Sequence, residues 1–435
     1  MKFKKPIGEP VTAAHQLRNS REPEALDPDS FPHRTRAGRL PGTIENVRHL
    51  LDAYGITARY DLIRKKLIIQ GPTWSSTVDN ADNVAMTHII SLACLNGLPR
   101  GDIEAKVAVV ADANPINPVA DWIHSAPWDG VDRLLAFYDT LVIAEDYPAE
   151  LRALLMRKWA LSAVAAALMP KGFRSRGVLT LQGPQSLGKT RWVSALVPDV
   201  ELRDAVVKVD HHLDANNKDS VLGACNHWVV EIGELESSMK KEVARLKGML
   251  TRDSDKVRKP YLRAESEMPR RTVFAATVNQ ANFLVDDTGN SRWWVIPVVA
   301  VDYEHDVDMQ QLFAQLAVEF EAGEQWWLTS EEEQLLDQQN RHNRTISVIE
   351  DQFLRVLDLD KAEADGLKAY TALEVLEMIG VEKPTNGQAK ECAGILRTYL
   401  GESKRIQGRF KWRVPFHLNH RGDQAVVPDD PSDYE

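Results

Sequence analysis

The segment that most restricts the fold is Gly183-Pro184-Gln185-Ser186-Leu187-Gly188-Lys189-Thr190, a match to G-x-x-x-x-G-K-[ST]. Immediately before it, residues 178–182 (VLTLQ) form a short apolar run with the length and composition of a buried strand. Immediately after it, Arg191 opens a stretch to residue 196 that reads as a helix. A strand running through a glycine-containing loop into a helix must sit in a sheet with that helix packed back on it, which commits the centre of the chain to the α/β class. Glycines let successive backbone N–H groups turn inward around a phosphate, and the helix N-terminus adds positive potential there. Residues Gly183 to Arg191 are therefore the expected nucleotide cradle. Lys189 reaches the β- and γ-phosphates, and the Thr190 hydroxyl is the expected Mg²⁺ ligand, so ATP and Mg²⁺ are the expected ligands.

Further strands are expected over 228–232, 272–278 and 293–299, separated by helical stretches, so the central sheet should be mostly parallel. The first of these ends in two carboxylates, Glu231 and Glu234. One would hold the water shell of the metal and the other would act as base, and the spacing leaves open which does which. The second ends in Asn279, a candidate γ-phosphate sensor. Arg292 follows a Thr-Gly-Asn turn and a serine, and is the candidate arginine finger for a neighbouring subunit's site.

Outside this core, residues 1–40 hold five prolines and little apolar periodicity, and read as a flexible arm. Residues 41–145 read as a mixed, largely helical module, 146–305 as the P-loop core, and 306–348 as a helical lid or linker. Residues 349–420 offer two helices and two short strands turning at Gly408, the outline of a winged helix; the acidic tail 421–435 is expected to be disordered.

Charge narrows the partners. The chain of 435 residues has 63 acids against 53 bases, a net charge of −10, so any polyanion site must be a local basic patch. One such patch is 240–271, with eleven Lys/Arg against five acids. It includes Lys256, Arg258, Lys259 and Arg263, with Tyr261 among them. Cations for phosphates plus an aromatic for stacking suit single-stranded nucleic acid, a solvated helix face being the alternative. Arg409 and Lys411 on the expected wing repeat the theme. The three cysteines are far apart, which fits a reducing cytosol, and the longest apolar run is 11 residues, too short for a membrane span. A cytoplasmic location and no membrane partner are expected. His211, His212 and Asp214 lack the spacing of a zinc site.

Together the motifs resemble the virulence-associated E family, the P-loop ATPases of phages and mobile elements. The likeness begins near Thr43 and rests on ordered blocks: Asn117-Pro118-Val119, Trp128-Asp129-Gly130 with Arg133, the P-loop, Trp228–Glu234, Arg258/Pro260-Tyr261/Arg263, Thr277–Asn279, Asp287-Thr288-Gly289-Asn290 with Arg292, and Gly323-Glu324. It implies an AAA+-like, superfamily 3 helicase-like ATPase in a bacterial host cell. The assembly would be a homo-oligomeric ring, hexameric in expectation, acting on single-stranded or forked DNA during mobile-element replication, with replication proteins as further expected partners. It also implies a hairpin, 258–268, projecting into the ring pore. The family often has two arginines before the last aromatic strand; here the first is Ser291. Some relatives carry a primase upstream. With about 40 residues before Thr43, no primase activity is expected. Two other readings stay open: a regulatory or defence ATPase that does not unwind, and a replication-initiation protein that uses the winged helix to find an origin.

Overall fold

The computed structural model describes residues 23–71, 77, 80–233, 248–250, 252–257, 266–279, 290–340, 348–358, 361 and 366–417. In chain order the strands are β1 (Thr57–Asp61), β2 (Lys66–Gln70), β3 (Pro115–Ile116), β4 (Leu141–Ile143), β5 (Val178–Gln182), β6 (Val207–Lys208) and β7 (Val229–Ile232). They continue with β8 (Ser254–Val257), β9 (Ser266–Pro269), β10 (Val273–Val278), β11 (Trp293–Val301), β12 (Ala369–Tyr370), β13 (Lys404–Ile406) and β14 (Arg409–Arg413).

The central sheet runs β4-β11-β5-β10-β7-β6. Every pairing in it is parallel except that of β4 with β11. Its strands are near-continuous apolar runs because both faces are covered. Successive side chains point to opposite faces, and the core divides accordingly. Leu179, Leu181, Val229, Ala275, Trp294 and Ile296 face one apolar cluster; Val178, Val230, Phe274, Ala276, Trp293 and Val295 face the other. The first cluster is closed by the helix Ala149–Leu168, whose residues from Leu155 to Ala167 are all buried except Arg157. Its alanines bring that helix close to the sheet, and Trp159 Nε1 donates to the Phe274 carbonyl at 2.7 Å.

Residues 118–145, which the sequence reading put in the N-terminal module, belong to this core. Val119, Ile123, Phe137 and Leu141 lie in its main cluster, and β4 extends its sheet. The 306–348 segment is likewise more than a lid. Met309, Leu312, Phe313 and Leu316 of the helix Met309–Glu321 enter the same cluster. Its buried Gln311 and Gln315 accept the backbone N–H groups of Asp129 and Arg133 at 2.8 and 3.0 Å. Composition hid this, because the glutamines read as surface residues until their backbone partners come into view.

The N-terminal module packs three helices (Ile44–Ala53, Ala81–Leu95 and Ile103–Asp112) around the small sheet β2-β1-β3. Residues 23–40, assigned above to a flexible arm, are seated on it: Phe31 and Leu40 are buried in its core, and the Asn46 side chain bonds His33 and Pro41. Their prolines and charges mask two buried anchors. The buried Lys65 ties this module to the central domain by donating to the Cys225 carbonyl. The C-terminal module has its own core, from Ile349 to Phe416. It comprises the helices Val348–Val356, Ala372–Met378 and Asn386–Leu400 and the sheet β12-β14-β13. Thr371/Glu374 and Thr385/Gln388 form reciprocal capping boxes at the starts of its second and third helices. No helix among the described residues is long and apolar enough to cross a membrane.

Candidate nucleotide site

The loop after β5 turns through left-handed backbone at Ser186 (φ 68°) and Gly188 (φ 87°) and opens the helix Lys189–Ala195. The parallel register brings the C-terminal ends of four strands to one place. The Gly183 N–H donates to the Val278 carbonyl at 3.1 Å, joining the loop to the end of β10, where Asn279 follows. Open parallel sheets bind ligands beyond these strand ends. Here they border a cleft of about 570 Å³ lined by Gln185 to Arg191, Asp210, Gly233, Thr277, Asn279 and Tyr303.

The Lys189 ammonium lies inside the loop and is buried. It donates to the Gly183 and Pro184 carbonyls at 2.6 and 2.7 Å and to Asn279 Oδ1 at 3.1 Å. Lysine and Asn279, 90 residues apart, thus form one unit. Thr190 lines the same cleft, beside the lysine.

Glu231 sits below the cleft on β7 and is fully buried. Its Oε1 accepts the Thr277 hydroxyl at 2.6 Å and its Oε2 accepts the Asp210 N–H at 2.6 Å. Burial pushes its carboxyl above the ordinary range, the two hydrogen bonds work against that shift, and the Asp210 charge adds to it. Glu231 is therefore a carboxyl fixed in position by two donors. Glu234 lies outside the described residues.

Two residues of the site escaped the sequence reading. Asp210 follows the two-residue strand β6 in left-handed conformation (φ 52°), with its carboxylate on the cleft. The approach is tight: a Cβ on Gly233 would stand 2.3 Å from Asp210 Oδ1, so only glycine fits there. Tyr303 follows β11, and its ring lies over Gly188, where a Cβ would come within 2.2 Å of it. The Arg191 guanidinium stands 5.2 Å from the Tyr303 ring centroid, with Nη1 3.3 Å from the hydroxyl. Neither residue had a legible signal. A two-residue strand is too short for periodicity, and a tyrosine after a long strand has no motif around it.

Arg292 does not join this cleft. It ends a 3₁₀ turn before β11, and the next residue, Trp293, is in register with Val178 at the start of β5. The P-loop leaves the opposite end of that strand, about 13 Å further along at 3.3 Å per residue. Arg292 is close in sequence to the Asn279 strand end, but parallel pairing puts the start of β11 at the opposite edge of the sheet. Its Nε is buried and has no hydrogen-bond partner among the described residues.

The basic stretch is partly described. β8 and β9 pair as an antiparallel ribbon in which Lys256 is opposite Glu267. Arg258, Lys259, Tyr261 and Arg263 lie outside the described residues. Two of the eleven bases leave the surface: Arg270 donates to the Met249 and Leu250 carbonyls and Arg271 to that of Ala167, both buried. Arg409 and Lys411 are on β14, in the hairpin with β13.

The sequence profile of the virulence-associated protein E-like domain matches residues 123–345. That span takes in β4, the whole parallel sheet and the helices to Asn340. No curated protein matches the chain in sequence. Solved structures similar to it include three apo structures of the NrS-1 C-terminal region, two of them labelled 305–718, at 14–15% identity and TM-scores of 0.36–0.39. Each covers 85% of this chain and 98% of that one.

Proposed function

The chain belongs to the virulence-associated protein E-like family, and we propose that it is an Mg²⁺-dependent ATPase that moves single-stranded DNA during replication of a phage or mobile element, as a ring of identical subunits. The observation that carries this reading is the meeting of Lys189, Thr190, Asn279, Asp210 and Thr277-held Glu231 at the strand ends bordering one cleft.

The hard-oxygen donors present there suit Mg²⁺: the Thr190 hydroxyl and the Asp210 carboxylate line the cleft, with Glu231 behind them. Thr190 would ligate the ion directly and Glu231 would hold its water shell; the bound ion supplies charge neutralisation to the β- and γ-phosphates. Lys189, freed from the Gly183 and Pro184 carbonyls, binds the terminal phosphate oxygens, and the loop N–H groups hold the rest. Asn279, already bonded to Lys189, orients at the γ-phosphate. Glu234 is the proposed base for the attacking water, and Asp210 is a further carboxylate that lines the cleft. Arg191 and Tyr303 form the wall beyond the phosphates.

Arg292 stands by the end of β5 opposite to the phosphate loop, so its proposed role as a finger is in a neighbour's site, and the ring supplies that neighbour. β8 and β9 flank the basic residues 258–263 in sequence, and this stretch is the proposed strand-contacting element inside the ring. Isothermal titration with ATP and Mg²⁺ tests the foundation. Wild type takes up nucleotide and hydrolyses it faster with single-stranded DNA, and Lys189→Ala does neither. Wild-type protein that takes up no ATP overturns the reading.

A further inference from the structure

At the other extreme of the chain, β13 and β14 form a hairpin whose two turn residues, Gln407 (φ 51°) and Gly408 (φ 75°), both have left-handed backbone. This is the tight turn whose twist matches that of the strands it joins. The register pairs Lys404 with Lys411, Arg405 with Phe410 and Ile406 with Arg409. β12 pairs with β14 only at Trp412 and Arg413, so the tip half of β14 is flanked by β13 alone among the described strands.

The hairpin treats its two aromatics differently. Trp412 is buried and donates Nε1–H to the Gly401 carbonyl at 2.9 Å. Phe410, two residues toward the tip on the same face, is 66% exposed. A single exposed apolar side chain is ordinary. Arg405 stands opposite this one on the same face, and Lys404, Arg409 and Lys411 project from the other face of the narrow hairpin; none of the four is within ion-pair distance of a described carboxylate. Glu374, the acid whose charge reaches Arg409 and Lys411, is held at the start of its helix. There it accepts from the Thr371 N–H and hydroxyl at 2.7 and 3.0 Å.

Four cations with no carboxylate at ion-pair distance among the described residues call for a polyanion, and an exposed ring on the same hairpin calls for another planar group. Phosphates and bases of an unpaired strand supply both. A duplex offers phosphates but keeps its bases stacked inside. We infer that the tip of this hairpin is a single-stranded nucleic-acid site in which Phe410 stacks on an unpaired base while Arg405, Arg409 and Lys411 hold the flanking phosphates. The inference rests on the reading above only for the presence of nucleic acid, and stands apart from the nucleotide cleft.

The test is equilibrium binding of a labelled oligo(dT) of about 16 nucleotides, the upper end of single-strand site sizes, to the full chain. An abasic oligomer of equal length is the companion probe. Phe410→Ala binds oligo(dT) about tenfold more weakly than wild type, while Phe410→Trp restores affinity, as expected for stacking. Arg409→Ala and Lys411→Ala each flatten the log–log salt dependence by about 0.7, as expected for single-strand phosphate contacts. ATP hydrolysis measured without DNA is unchanged in all of these variants. If the chain binds oligo(dT) through Phe410 yet hydrolyses no ATP, the motor reading falls and this site stands. The site is refuted if Phe410→Ala binds as wild type does, or if the abasic oligomer binds as tightly as oligo(dT). It is equally refuted if Phe410→Ala dissociates an oligomer without affecting DNA binding, since a second copy of the chain would then cover the ring.

Discussion

The proposed nucleotide cleft and the C-terminal hairpin are built in opposite ways. The cleft draws on residues from four strands and a distant loop, and its two buried ionisable groups are held by other parts of the chain: Lys189 by Asn279, Glu231 by Thr277 and by the Asp210 backbone. The hairpin is local. Four of its basic side chains, Lys404, Arg405, Arg409 and Lys411, come from eight consecutive residues, and no carboxylate among the described residues stands within ion-pair distance of them. Burial and long-range bonds make the first site rigid and intolerant of change. Exposure makes the second tolerant, so that substitutions there alter binding and leave the fold alone. A site for chemistry needs the first kind of support, and a site for a mobile polymer can work with the second.

The largest effect that separates the two belongs to Lys189→Ala. Hydrolysis falls below detection and ATP uptake with it, while oligo(dT) affinity at the hairpin is retained; joint loss would show that the two regions are coupled. Arg292→Ala comes next, with hydrolysis reduced on the order of 10³-fold, the lower bound of arginine-finger effects. Mixing it with Lys189→Ala subunits tests its direction of action. Activity returns in the mixture if Arg292 serves a neighbour, and stays absent if it serves its own chain.

Glu231→Gln follows, lowering turnover about 10- to 100-fold, as for a group that orients a bound metal's surroundings, with ATP still bound. Burial raises the folded pKa of Glu231, so two pH trends run in opposite senses. Hydrolysis needs the carboxylate and is lost as pH falls through the raised value, placing the acid limb above the usual glutamate range. The stability contribution is full below the unfolded pKa and fades as pH rises through the folded one. A pH–rate profile whose acid limb is the same in wild type and Glu231→Gln would refute the assignment. The smallest effect is on the hairpin's side. Thr371→Ala removes a capping box and costs about 1 kcal/mol, read as a lowered midpoint of thermal unfolding with the ATPase rate unchanged.

Much of the cleft was legible because its chemistry is contiguous. Gly183 to Thr190 lie in one run, and Glu231 and Asn279 each end an apolar strand. Asp210 and Tyr303 were not, since each becomes part of the site only through a neighbour: Asp210 by lying against Gly233, and Tyr303 by lying against Gly188. Phe410 was visible as a residue, but its exposure was not. Alternation puts it on the same face as Trp412, and only the third strand's short reach explains why one is buried and the other bare.

Local patterns thus determined the helices, the strands and the phosphate loop, since backbone propensity, periodicity and glycine placement act over a few residues. Strand order, the far position of Arg292, the enclosure of the 118–145 segment and the pairing of Glu231 with Thr277 came from tertiary structure alone. Parallel strands are joined by crossovers, and which ends meet depends on how the whole sheet packs against its helices rather than on any neighbouring residue.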